Sequence, residues 1–136
     1  MTSLSIPSER LFPDAELLLI GLIRAMDVTW RVVTDLPANM EAVLPVIQVT
    51  RIGGSTRYAA LLDRPRMDID VYAATRSAAA NAARKIQSKM PTVRGITASG
   101  GVITDVSEEL GVSWRPDRNE SVRRMGLIYQ ITLRPA

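Results

Sequence analysis

The chain contains no cysteine and no histidine. Without cysteine there is no disulfide, no thiolate nucleophile and no cysteine-based zinc site. Without histidine the commonest general base and the commonest metal ligand are missing. No run of about 18 apolar residues occurs, which argues against a membrane-spanning helix. The opening MTSLSIPSER has neither the basic start nor the apolar stretch of a signal peptide. These absences remove most catalytic designs and fit a cytoplasmic setting.

At 136 residues the chain is long enough for one domain with a sizeable core. Its net charge is +3, and all 17 basic residues except Lys85 and Lys89 are arginine. Arginine favours bidentate pairing with carboxylates or phosphates and is enriched where proteins meet proteins. The charge is spread along the sequence. A surplus this small is compatible with work near DNA but does not argue for specific binding to it.

The most legible stretch runs from Leu62 to Met90. Met67, Ile69 and Val71 alternate with Arg66, Asp68 and Asp70, the period of a half-buried strand. Beyond Thr75 the period lengthens. Ala79, Ala82, Ala83, Ile86 and Met90 share one helix face, and its small residues allow close approach to a sheet. Pro91 ends that helix. Earlier, residues 1–12 form an arm studded with Leu4, Ile6, Leu11 and Phe12. Two readings of it stand side by side, a frayed terminus and an arm that docks on a neighbouring subunit. Residues 13–136 form the domain. Its first helix begins at Pro13, with Asp14 and Glu16 at the positive end of the dipole and an apolar arc from Leu17 to Met26. Strands are predicted over Trp30 to Thr34 and Val46 to Ile52, the second ending at a break in Gly53-Gly54. A long connection from Gly54 to Asp63 follows. Pro91 to Gly101 reads as irregular. Val102 to Trp114 reads as a strand with Val102, Val106, Leu110, Val112 and Trp114 on one side, and Glu108-Glu109 marks a bulge. RPDRNES, from Arg115 to Ser121, is turn chemistry leading into a final strand that alternates from Met125 to Leu133. The expected fold is α+β, a mixed, mostly antiparallel sheet of four to five strands with two main helices packed on one face.

No residue set supports catalysis. Asp68 and Asp70 form a D-x-D that could hold a metal or act as an acid/base pair, but alternation puts them on the solvent side with Arg64 and Arg66 beside them. They read as a solvated or ion-paired face. The glycine pairs match no phosphate-binding pattern. What remains is a set of loop residues suited to protein contacts: Arg57, Tyr58, Leu61, Leu62 and Arg64 in the first connection, and Arg115, Arg118, Arg123 and Arg124 in the last. The first connection exceeds the 2–5 residues a hairpin usually needs. It is expected to reach a neighbouring subunit or other partner, with Arg57 and Arg64 meeting carboxylates there. The competing reading folds it back on its own sheet. An exposed second face and open sheet edges favour assembly with other copies.

FPDAELLLIGLIRA, VVTDLPANMEAVLPVIQVTRIGG, LDRPRMDIDVYAATRSAAANAARKI and RRMGLIYQITLRP together resemble the tail terminator proteins of long-tailed actinobacteriophages, a family related to the lambda-type terminator. The resemblance covers about Phe12 to Pro135. It implies a non-catalytic structural protein without cofactor or metal. It implies a homo-oligomeric ring, a hexamer, that caps the tail tube at its head-proximal end in the virion. The ring stops addition of tube protein and offers a surface to a neck or head-completion protein, while DNA passes through the lumen without sequence-specific contact. No site residue carries over, because the matching motifs are structural. A neck or head-completion ring protein of the same particle is the alternative. A small DNA-binding protein would need exposed arginines on a groove-entering helix, and Arg76 to Met90 is mostly alanine.

Overall fold

The computed structural model describes residues 4–6, 11–58 and 61–136. Most of the arm, residues 1–12, lies outside the described residues. Among those described there are two α-helices, α1 (Ala15–Met26) and α2 (Arg76–Lys89), and six strands in one sheet. The strands are β1 (Arg31–Val33), β2 (Val46–Arg57), β3 (Leu62–Ala73), β4 (Thr97–Ala98), β5 (Gly101–Arg115) and β6 (Arg123–Pro135). Their order across the sheet is β1-β2-β3-β6-β5-β4. β1 runs parallel to β2 and every other neighbouring pair is antiparallel.

The expected sheet of four to five strands is therefore too small. The strand that pattern reading leaves out is β4, inside the stretch read as irregular. Two residues have no periodicity to detect. Nearby backbone bonds are made from Gly95 N–H to Ile103 O and from Ile103 N–H to Ile96 O. The first helix starts at Ala15, not Pro13, because Asp14 is the cap and accepts a hydrogen bond from the Leu17 N–H at 3.1 Å. Thr75 caps α2 in the same way, through the Ala78 N–H.

Both helices cover one face of the sheet. Leu18, Leu19 and Ile23 of α1 share a core with Ala79, Ala83 and Ile86 of α2 and with Val49, Ile69 and Leu127 of the sheet. Met67, Ile69 and Val71 are wholly buried, as their alternation requires. The opposite face is covered only at one end, where Met40, Val46, Tyr72 and Val122 form a small second cluster.

Two departures from simple alternation shape the rest. Gly53-Gly54 is not a break. Arg51 pairs with Met67 and Gly54 with Pro65, so β2 holds one extra residue there and then continues to Arg57. Gly53 and Gly54 take φ of +113° and +97°, which admits this bulge. A Cβ on Gly54 would also run into the backbone of Arg64 and Pro65. The predicted connection from Gly54 to Asp63 is thus mostly two paired strands. In β5 the register shifts at three places, between Ile103 and Asp105, Glu108 and Leu110, and Leu110 and Ser113. No single parity spans that strand. Ile103 is wholly buried although it lies on the opposite parity from Val102, Val106 and Leu110.

Candidate functional site

The predicted contact residues fall into two groups at opposite ends of the sheet. Leu62 starts β3 and Ala73 ends it; Asp63 pairs with Leu133 at the end of β6, while Ala73 pairs with Arg123 at its start. Over the 12 residues of β3 the ends stand roughly 35 Å apart, at about 3.3 Å per residue. Arg57, Tyr58, Leu61, Leu62 and Arg64 occupy one end; Arg115, Arg118, Arg123 and Arg124 occupy the other.

At the first end, β2 and β3 form a wing. From Ile52 to Tyr58 every residue of the outer strand is exposed, whereas β3 stays bound to β6. Tyr58 adopts φ +54° at the turn and is 73% exposed, and Leu61 is 63% exposed. Arg57, Tyr58, Leu62 and Arg64 meet Asp105 and Thr132 around a hollow of about 290 Å³. The Arg64 guanidinium is already engaged, donating to the Gln130 side chain at 2.8 Å. Pattern reading passes over the pair that braces this wing. Arg51 donates two hydrogen bonds to Asp63, at 2.7 and 2.8 Å, and a third to the Gly53 carbonyl. Asp63 is 2% exposed. Its hydrogen bonds hold the Arg51 guanidinium above its ordinary pKa. An aspartate on the buried side of a strand end looks like any surface aspartate in a sequence, so only the register reveals it.

At the other end sits a charge network on the face away from the helices. Asp70 is 5% exposed and accepts from Arg115 at 2.7 Å and from Arg124 at 2.9 and 3.0 Å. Arg115 also donates to Asp68 at 2.7 Å, and Asp117 lies 4.0 Å from Arg124. The D-x-D is an ion-paired face, as one of its two readings expects. Its partners, however, come from β5 and β6 across the sheet, not from Arg64 and Arg66. Arg66 pairs instead with Glu109. Burial works against the Arg115 charge, but its bonds to Asp68 and Asp70 hold its pKa above the ordinary value, and the bond to Asp70 does the same for Arg124. Beyond the network the hairpin bears Arg118 and Arg123, both exposed; Arg123 donates to the Glu120 and Val122 carbonyls. Asn119 bonds to Glu41, tying the hairpin to the segment before β2.

Among the described residues no group of three or more Asp or Glu side chains converges as a metal site would require. No helix of the described residues is long and apolar enough to cross a membrane. Both ends present turns carrying arginines above a braced sheet.

Residues 11–136 match the model of the family described as phage tail termination protein. No curated protein matches the chain. With nearly its whole length matched, the chain belongs to the phage tail termination protein family.

Proposed function

We propose that this structural tail terminator of a bacteriophage acts as a ring of six identical subunits on the head-proximal end of the tail. The ring caps the finished tube, halts addition of the major tail tube protein and gives the neck or head-completion protein a surface to join. DNA passes through its lumen without sequence-specific contact. Family membership supports the role in tail termination, and one structural observation supports the ring. β1 covers only Val46, Ile47 and Gln48 of the 12-residue β2, and β4 covers only Gly101 and Val102 of the 15-residue β5. The two sides of the sheet are thus incompletely paired, and they differ: beyond its partner β2 carries Ser55, Thr56 and Arg57, whereas β5 carries Asp105, Glu108 and Glu109. Different surfaces on opposite sides suit head-to-tail contacts, which close into rings. The two arginine-bearing ends then suit two different partners, with Arg57, Tyr58, Leu61, Leu62 and Arg64 at one and Arg115, Arg118, Arg123 and Arg124 at the other.

Particles made without this protein test the role. Electron micrographs are expected to show overlong tails that carry no heads. Tails of normal length beside unattached, DNA-filled heads would favour the neck-protein alternative. Mass measurement of the protein bound to tail tubes tests the ring. Six copies per tube end are expected, and one or two would overturn it.

A further inference from the structure

The outer strand of the wing is an edge without a partner. Beyond Gln48 no strand lies outside β2 among the described residues. The Arg51 N–H is capped by the Glu16 carboxylate at 2.8 Å. From Ile52 to Tyr58 the strand is exposed on both faces and carries a single charge, Arg57. An edge strand without a partner can pair with another strand, and proteins that leave edges bare usually charge, bulge or shorten them. β5 is managed in that way, with three register shifts and the acidic Asp105, Glu108 and Glu109 along it. β2 carries one bulge, at Gly53-Gly54, and beyond it Ser55 and Thr56 are uncharged, with Arg57 at the end.

The N-terminal arm has the complementary defect. Leu4 is 98% and Ile6 91% exposed, on either side of Ser5. Apolar residues alternating with a polar one are strand chemistry, and they have no cover in this chain. Neither Leu4 to Ile6 nor Ile52 to Tyr58 are buried, so these three residues do not lie on the edge of their own subunit. It joins the body at Pro13, which packs against Gly101 at the start of β5. Gly101 pairs with Pro135, so the arm leaves at the same end of the sheet as the wing. The 12 residues before Pro13 reach up to about 40 Å when extended, enough to cross to an adjacent subunit. Beside the vacant edge, Leu17 of α1 is 58% exposed and Ile52 is 40% exposed. Leu17 borders a groove of about 400 Å³ between α1 and β1.

We propose that the arm of one subunit adds as a strand to the outer edge of β2 in a second copy of the chain, laying Leu4 and Ile6 against Leu17 and Ile52. Backbone bonds supply the attraction and the alternating leucine and isoleucine set the register. The contact is head-to-tail, so it repeats around a ring; the inference rests on the ring proposed above.

The absence of cysteine makes a direct test possible. Ser5→Cys protein is mixed with full-length chains carrying Ile52→Cys, Ser55→Cys or Arg57→Cys in turn, or Ser107→Cys on β5 as the control. Each mixture is assembled on tail tubes, oxidised and run on a non-reducing gel. A two-chain product is expected with at least one β2 position, at roughly tenfold or greater excess over the β5 control. Rings of six copies in which no β2 position exceeds the control would overturn the arm contact and leave the ring standing. Failure to assemble more than two copies per tube end would overturn both. A double Ser5→Cys, Ser55→Cys chain separates the remaining case. Closure within single chains at high dilution, with no ladder of linked chains on tubes, would mean the arm folds on its own edge and would overturn exchange between copies.

Discussion

Gly126 has no side chain where Arg115 needs the space. A Cβ there would overlap the Arg115 guanidinium, which crosses β6 above Gly126 to reach Asp68 and Asp70 on β3. Gly126→Ala is therefore expected to displace Arg115 and cost about 1–3 kcal/mol, the range for losing hydrogen bonds to charged groups. Urea unfolding measures it, and the double variant with Arg115→Ala identifies the cause. If the clash acts through Arg115, the two losses will fall well short of adding; additive losses would place the strain elsewhere. Two tyrosines set an alkaline limit. Burial, with Asp70 nearby, pushes the Tyr72 pKa up to about 12. Burial and the hydrogen bond that Tyr129 donates to Glu108 at 3.0 Å push Tyr129 up as well. Both keep their protons in the folded chain, whereas an unfolded tyrosine ionises near pH 10. Their contribution is thus complete below pH 10 and is lost as pH climbs through 10 toward 12. Melting temperature followed from pH 8 to 12 is expected to fall over that interval. Tyr129→Phe is expected to lose about 1 kcal/mol at pH 8 and to soften the alkaline fall, since one of the two linked groups is gone.

Elements with a strong period are the ones a sequence discloses. The helix face of Ala79, Ala83 and Ile86 and the alternation of β3 and β6 appear in the structure as read, because one buried face dictates each pattern. Ile131 is wholly buried in that core. Ile131→Ala is expected to cost about 2–5 kcal/mol by denaturant unfolding; a loss below about 0.5 kcal/mol would contradict its burial. The pattern fails where the register shifts. Gly53-Gly54 resembles a stop but is a bulge, and β5 changes parity at each of its three shifts. Ion-pair partners are hidden for the same reason. That Arg115 and Arg124 reach Asp70 follows from which strands are neighbours, and spacing in the chain does not carry that information. The residues proposed for contact form two arginine-bearing segments in the sequence, and their separation to opposite ends of the sheet follows only from the pairing of β3 with β6. The wing supplies a test at this scale. Replacing Ser55 through Leu61 by a short Gly-Ser turn removes residues exposed on the outer strand and leaves Asp63 paired with Leu133. The shortened subunit is expected to melt within a few degrees of the parent yet fail to cap tubes. Normal capping would move the contact to the Arg115–Arg124 hairpin, and unfolding would make the wing part of the core.

Across the whole molecule part of the arginine charge is already committed. Arg51, Arg66, Arg94, Arg115 and Arg124 are paired with carboxylates, and Lys85 is paired with Asp27. α2 is basic, with Arg76, Arg84, Lys85 and Lys89 and no acidic residue, but these are scattered around its exposed arc and Arg76 lies over Trp114. Helix insertion into a DNA groove wants several base-reading side chains on one stripe, and none is assembled here. What remains is a diffuse field from a net charge of +3 per subunit. In the proposed ring around passing DNA that weakness is an advantage, because tight or sequence-selective contact would hold the genome in the channel. If each subunit neutralises at most about three phosphates, the slope of log affinity against log salt is about −2.7 per subunit. Binding of the isolated chain to a duplex is then expected to fall about 40-fold between 50 and 200 mM salt, equally for unrelated sequences. Fluorescence anisotropy with two scrambled duplexes measures both quantities. A preference for one duplex that survives at 200 mM salt would mean that the chain reads bases, and DNA would then be a bound partner of this terminator instead of its cargo.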